Sequence, residues 1–207
     1  VVKERPILFS APMIRALLDG SKTQTRRAVK PLVHEQINPV MVDGMWQWAS
    51  LESRRRCPYG EAGDRLWVRE AFFHEPADYC WEASVSIPCR PAITVYRADY
   101  PASQPGEGWK PSIHMPRTLS RITLEVTGVR VERLQDISEA DAIAEGIERH
   151  DDDGVTYYGP LNRGDARPIE EYRALWDRIN GPGSWAANPW VWAITFRRAS
   201  GAASEGA

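Results

Sequence analysis

Apolar residues recur along this chain with two different periods, and the period changes several times. Arg5 to Phe9 reads as a short extended run. Ser10 then stands in an N-cap position, Pro12 suits a first helical turn, and Met13, Ile14, Leu17 and Leu18 follow at helical spacing. This predicts an amphipathic helix over Ala11–Asp19, with Gly20 placed to close it. Ser21 to Lys30, with two threonines and a valine, predicts a strand that Pro31 ends. Met45 to Trp48 alternates as half of a hairpin, and Cys57 to Gly60 is turn-like. Gly63-Asp64 opens a strand over Arg65–Phe72, with Leu66, Val68 and Phe72 on one side and Trp67, Arg69 and Ala71 on the other. A further strand is predicted over Ile93–Arg97, and a Pro- and Gly-rich loop over 101–108. The strongest alternation runs from Ser120 to Leu134, where Gly128 marks a bulge or bend. Ser138 with Asp141 three residues on resembles a capping box, Ile137 can staple it, and a helix over Glu139–Glu145 ends at Gly146. Pro168 starts a helix whose Ile169, Tyr172, Leu175, Trp176 and Ile179 form one stripe, stopped by Asn180 to Gly183. Trp190 to Phe196 is a last strand. The order of helix, strands, two helices and strand predicts an α+β domain around a mixed sheet or small barrel.

Length and composition narrow the class. The chain has 207 residues, of which 43% are hydrophobic and 26% charged, so a folded domain is expected. We read residues 1–198 as that one domain, with insertions near 31–60, 74–118 and 149–167. The last insertion is expected to be acidic and mobile, and 199–207 is expected to be an unstructured tail. Twenty-six basic against 28 acidic side chains leave a net charge of −2, which excludes a polybasic coat for nucleic acid. Residues 1–70 nevertheless hold twelve basic and eight acidic groups, so the N-terminal third could present a basic face or merely a solvated arginine-rich one. Apolar runs are too short to span a bilayer, and nothing reads as a secretory leader. The expectation is a soluble, cytoplasmic protein. Cys57, Cys80 and Cys89 form no Cys-x-x-Cys pair and are expected to be reduced thiols. No metal or cofactor is expected.

Phosphate-loop, dinucleotide, zinc-protease and nucleophile-elbow signatures are absent from the sequence. The densest polar constellation is Gly20-x-Lys22-x-x-Thr25-x-Arg27. A lysine close to Arg26 and Arg27, and buried, is biased toward its neutral form and can act as a base. Thr25 is the nearest hydroxyl nucleophile. Residues three apart on a strand face opposite sides, so Lys22 and Thr25 cooperate only if Lys22 belongs to the turn. The alternative is an ordinary solvated strand.

The Gly-x-Lys-x-x-Thr-x-Arg pattern after a short N-terminal helix resembles the ASCH family of the PUA-like superfamily. So do Gly63-Asp64-x-Leu66-x-Val68, the long strand followed by a short glutamate-bearing helix, and the closing helix and strand. Arg5–Ser10, Gly63–Glu70 and Asn188–Trp192 are similar to the longer ASCH-like proteins of bacteriophages and prophages. The resemblance implies a small PUA-like mixed β-barrel with flanking helices and long inserted loops, holding RNA or a modified nucleoside in a cleft at the barrel mouth. One branch of the family hydrolyses N4-acetylcytidine, which implies Lys22 as base, Thr25 as nucleophile and Glu145 as acid. Gly20, Arg26, Arg27, Trp67, Arg69, Glu70, His114 and Arg117 are then the expected substrate-binding residues. Arg27 is a candidate for the oxyanion, Trp67 and Trp109 for stacking on a base, and Arg117 and Arg121 for contact with phosphate or for pairing with acids. A non-catalytic RNA-binding module, or a phage-encoded protein that engages a host protein through the inserted loops, are the alternatives.

Overall fold

Five strands of alternating pattern pair into one sheet, seen in a computed structural model that describes residues 1–29, 39–42, 45–48, 56–82, 85–101, 108–152, 155–159 and 167–199. In chain order the strands are β1 (Glu4–Leu8), β2 (Gln24–Ala28), β3 (Pro39–Val42), β4 (Met45–Trp48), β5 (Arg65–Arg69), β6 (Phe72–Glu75), β7 (Asp78–Glu82), β8 (Val85–Arg90), β9 (Ile93–Tyr96), β10 (Thr123–Arg133), β11 (Arg149–Asp152), β12 (Val155–Tyr158) and β13 (Trp190–Arg198). The helices are α1 (Ala11–Asp19), α2 (Glu139–Ala144) and α3 (Pro168–Asn180). The main sheet has the order β1-β5-β10-β13-β2, with β1 parallel to β5 and the other pairs antiparallel. It is mixed, as expected, and among the described residues it is open rather than closed into a barrel. It is also curled: the Arg27 guanidinium on one edge strand donates to the Leu8 carbonyl on the other at 2.6 Å.

Two apolar cores lie on opposite faces of this sheet. On the concave face, Ile7, Leu66, Val68, Leu124, Val126, Ile194 and Phe196 meet Ile14 and Leu17 of α1. On the other face, Val191 joins Ala142 near α2 and Tyr172 and Trp176 of α3. Each fully buried aliphatic side chain contributes about 1.5–3 kcal/mol through removal from water.

Gly128 is where the sequence placed it. The β10–β13 register shifts between Val126 and Gly128, so two residues of β10 oppose one of β13. Before the shift Leu124 and Val126 face the α1 core. After it Val129 and Val131 do, and Arg130 and Glu132 turn toward α2. The α1 boundaries match the expectation, and the Ser138 hydroxyl accepts from the Asp141 N–H as a cap. Three readings change. The strand expected over Arg65–Phe72 breaks at Glu70, and Phe72 starts a separate ladder with β9. Ser120 to Ile122 precede β10, with the Ser120 hydroxyl bonded to the Val68 carbonyl. The acidic 149–167 segment contains the β11–β12 hairpin. Met45 to Trp48 pairs with Pro39–Val42. The tail from residue 200, Arg54 and Arg55, most of the 101–108 loop and the side chains of Cys80 and Cys89 lie outside the described residues. No helix among the described residues is long and apolar enough to cross a membrane.

Candidate functional site

The turn after α1 builds the site. Gly20 closes the helix in the left-handed region (φ 85°), which a side chain would resist. The chain then runs antiparallel to the end of α2. The Lys22 N–H donates to the Ala16 carbonyl at 2.8 Å, the Thr23 N–H to the Ala144 carbonyl at 2.8 Å, and Lys22 forms an isolated bridge with Glu145. Lys22 therefore stands in the turn, ahead of β2, as its cooperation with a strand residue required. Gly146 lets the two segments approach. Its φ is +86°, and a Cβ there would lie 2.9 Å from the Ala16 Cβ and 3.0 Å from the Lys22 Cβ. Gly146→Ala is expected to cost more than about 1 kcal/mol, read as a lowered midpoint in urea unfolding; an unchanged midpoint would show that this approach is not tight.

The side chains meeting there form a balanced charge cluster. The Lys22 amine is fully buried and donates to the Gln24 carbonyl (2.8 Å), the Glu145 carbonyl (2.6 Å) and the Glu145 Oε2 (2.9 Å). Three acceptors for three hydrogens is the geometry of an ammonium. Burial lowers the Lys22 pKa from its ordinary value, Glu145 works against that shift, and Arg27 and Arg26 add to it. Arg26 is also buried. Its guanidinium donates to Glu132 Oε1 (2.7 Å), Gln24 Oε1 (2.6 Å), Asp141 Oδ2 (3.0 Å) and Glu145 Oε1 (3.3 Å). Arg130 bridges Glu132 and Asp141 from the solvent side. The Tyr172 hydroxyl donates to Glu145 Oε1 at 3.4 Å. Its pKa is pushed well above the usual phenol value, by burial first and by Glu145 second.

Asp141 has a simple pH consequence. Burial would raise its pKa, but Arg130 and Arg26 outweigh burial and hold it below the ordinary aspartate value. A carboxyl that binds its proton less readily folded than unfolded stabilises the fold above the unfolded pKa. That contribution fades as pH falls through the folded value. Asp141→Asn is therefore expected to flatten the loss of stability below about pH 4, followed by thermal unfolding across pH. An acid limb as steep as wild type's would contradict it.

Thr25 faces the other way from Arg26. Phe196 donates to the Thr23 carbonyl and Val29 to the Trp190 carbonyl, so odd-numbered residues of this segment bond to β13 while Gln24, Arg26 and Ala28 turn their backbone groups outward from the edge strand. Along this edge, between α1 and α3, runs a cleft of about 50 Å³. Thr25, Arg27, Glu145 and Tyr172 line it, with Met13 and Ile179 at its sides. Among the described residues the Thr25 hydroxyl has no hydrogen-bond partner, and the Arg27 Nε–H is buried without an acceptor. The expected trio thus meets pairwise through Glu145. Lys22 contacts Glu145 from inside, Thr25 shares the cleft with Glu145, and Lys22 itself is absent from the cleft wall.

The remaining expected residues cluster elsewhere. Trp67 and Arg69 lie on the outer face of β5, with the Arg69 guanidinium 5.3 Å from the Trp67 ring and bonded to the Met115 and Ile113 carbonyls. Glu70 is buried and holds Arg121 bidentately at 2.9 and 3.0 Å, and Arg121 also holds Asp99. Burial pushes the Glu70 pKa up, against the pull of Arg121. His114 is exposed, and Arg117 pairs with Glu4 at 3.1 Å. Trp109 packs edge-on against Tyr100. The Arg69 and Glu70 contacts brace the end of β5 to residues 113–121, the Arg117 pair ties that segment to β1, and none of these residues lines the cleft. Arg26, by contrast, does line the cleft, and its guanidinium is held by three carboxylates, Glu132, Asp141 and Glu145. With Lys22 and Arg26 turned inward, part of the basic surplus of the first 70 residues is neutralised internally.

Sequence reasoning missed Glu132, Asp141 and Tyr172 as members of this cluster. Their signal was present only for Glu132, a charge in the alternating strand whose side depends on the bulge. Among the described residues no group of three or more His, Cys, Asp or Glu is placed to hold a metal ion. Compared with profiles of known families, with curated proteins and with solved structures, the chain matches none.

Proposed function

We propose that this protein is an ASCH-like, PUA-like hydrolase that acts on the amide of an N4-acylated cytidine, as a free nucleoside or in RNA. The observation that carries the reading is the cleft whose wall includes both Thr25 and Glu145, with the Lys22 amine buried against the Glu145 carboxylate. The order of the elements supports it too: a lysine turn after the first helix, an edge strand with the threonine, and a glutamate closing the short helix after the long strand.

Size favours a small acyl group. By comparison with a cavity of about 150 Å³ that holds benzene, the cleft has room for roughly two heavy atoms, the two carbons of an acetyl group. The base and sugar would then lie outside it. In the reaction, the Thr25 proton passes to the Glu145 carboxylate as the Thr25 oxygen attacks the acyl carbon. The carbonyl π electrons move to oxygen, where the Arg27 guanidinium offers a donor. Collapse breaks the carbon–nitrogen bond, and Glu145 returns its proton to the departing amine. Water then cleaves the threonyl ester, again with Glu145 as base, releasing the carboxylic acid and free Thr25. In this scheme Lys22 is a fixed cation that holds the Glu145 carboxylate in place, in contrast to the base role expected for it. The test is acetate release from N4-acetylcytidine by wild type and by Thr25→Val; an inert wild type across a panel of acylated cytidines would overturn the proposal.

A further inference from the structure

A second hollow among the described residues, of about 140 Å³, lies on the α1 side of the sheet. It shares no wall residue with the edge cleft. The two come nearest where Arg27 and Trp192 pair across β2 and β13. Its floor is apolar: Cys57 and Trp192 are buried members of the α1-side core, and Val129 packs against that core. Its rim is cationic, with Lys3, Arg5 and Arg56 lining it.

The rim carries a charge surplus. Asp64 is saturated by the Lys3 N–H (2.9 Å), the Arg5 guanidinium (2.9 Å) and the Glu61 N–H (3.3 Å), so it neutralises Arg5 and no more. Glu61 is the other acid on the rim. Neither the Lys3 amine nor the Arg56 guanidinium has a carboxylate partner among the described residues. The arrangement is also built rather than loose. Gly60 has φ +103°, and a Cβ on it would stand 2.8 Å from the Asp64 carboxylate and 3.0 Å from the Arg5 guanidinium. Backbone is thus pressed directly against the ion pair that shapes the rim.

An apolar floor that includes an indole, under a rim with unpaired cations, suits a ring carrying an anionic group. By comparison with a cavity of about 150 Å³ that holds benzene, 140 Å³ accommodates about six heavy atoms, a pyrimidine ring with its sugar left outside. We infer that this cavity is a second ligand site, for a nucleoside monophosphate whose base enters the cavity and whose phosphate meets Lys3 and Arg56. The site is independent of the chemistry at the edge cleft.

Calorimetric titration of the full chain with cytidine monophosphate, cytidine and inorganic phosphate tests this. The monophosphate is expected to bind saturably and more tightly than either fragment. The Lys3→Gln/Arg56→Gln double variant, which alters only exposed side chains, is expected to weaken it at least tenfold. Thr25→Val is expected to leave that affinity unchanged. Equal affinity for inorganic phosphate, or no effect of the double variant, overturns the inference. Affinity lost in Thr25→Val and kept in the double variant places the nucleotide in the edge cleft, which overturns this inference and leaves the proposed hydrolysis standing. Failure of wild type to hydrolyse N4-acetylcytidine, with the monophosphate still bound at the rim, would do the reverse.

Discussion

Glu145→Ala is expected to lower the stability of the fold by about 3–5 kcal/mol, because it strands the buried Lys22 ammonium and removes one of three carboxylates from buried Arg26. Glu145 accepts from the Lys22 amine at 2.9 Å and from Arg26 at 3.3 Å, and neither cation's side chain is exposed. Without the carboxylate, the Lys22 amine keeps only carbonyl acceptors in a site without water's screening, and Arg26 keeps Glu132 and Asp141. The lysine must then carry an unpaired charge in the interior or give up its proton. Replacing both members of the pair by apolar groups removes the problem rather than exposing it. Lys22→Met/Glu145→Leu is therefore expected to be more stable than Glu145→Ala alone, despite carrying two changes. Urea unfolding of the three proteins checks this. A Glu145→Ala protein within about 1 kcal/mol of wild type would mean that water reaches the pair and that the cluster is not the sealed unit described above.

Thr25→Val is expected to abolish hydrolysis of N4-acetylcytidine, by at least about 10³-fold in kcat, while changing stability little. Valine keeps the branched shape that the edge strand accommodates and removes only the hydroxyl. Among the described residues that hydroxyl has no partner to lose, so the change tests chemistry with little structural cost. Thr25→Ser is expected to retain measurable turnover, since the attacking oxygen survives. KM should move far less than kcat in both, because the base and sugar lie outside the cleft. A loss confined to KM would make Thr25 a binding residue and remove the covalent step.

Much of the frame was legible in the sequence because it rests on local rules. Pro12 and Gly20 bracket α1, Ser138 caps α2, and Pro168 opens α3 at the positions their chemistry favours. The Gly128 bulge was legible as a break in alternation. Its consequence was not, since only the register against β13 shows that it turns Arg130 and Glu132 toward α2. Glu70 illustrates the opposite failure. The family resemblance implied ligand binding for it, yet it is buried against Arg121, a partner 51 residues away. Lys22 falls between these cases. The sequence put it near other cations and left open whether it belongs to the turn or the strand, and its acceptors come from Gln24 and from Glu145, 123 residues on. That pairing depends on α2 docking against β2, a tertiary event that no local pattern encodes.

The central claim, that Thr25 attacks the acyl carbon within the cleft it shares with Glu145, is tested most directly by mass spectrometry of wild-type protein quenched during turnover of N4-acetylcytidine. One acetyl group on the peptide that contains Thr25, absent from Thr25→Val, is the expected result. Acetate released at full rate with that peptide unmodified, or from Thr25→Val as fast as from wild type, would contradict it.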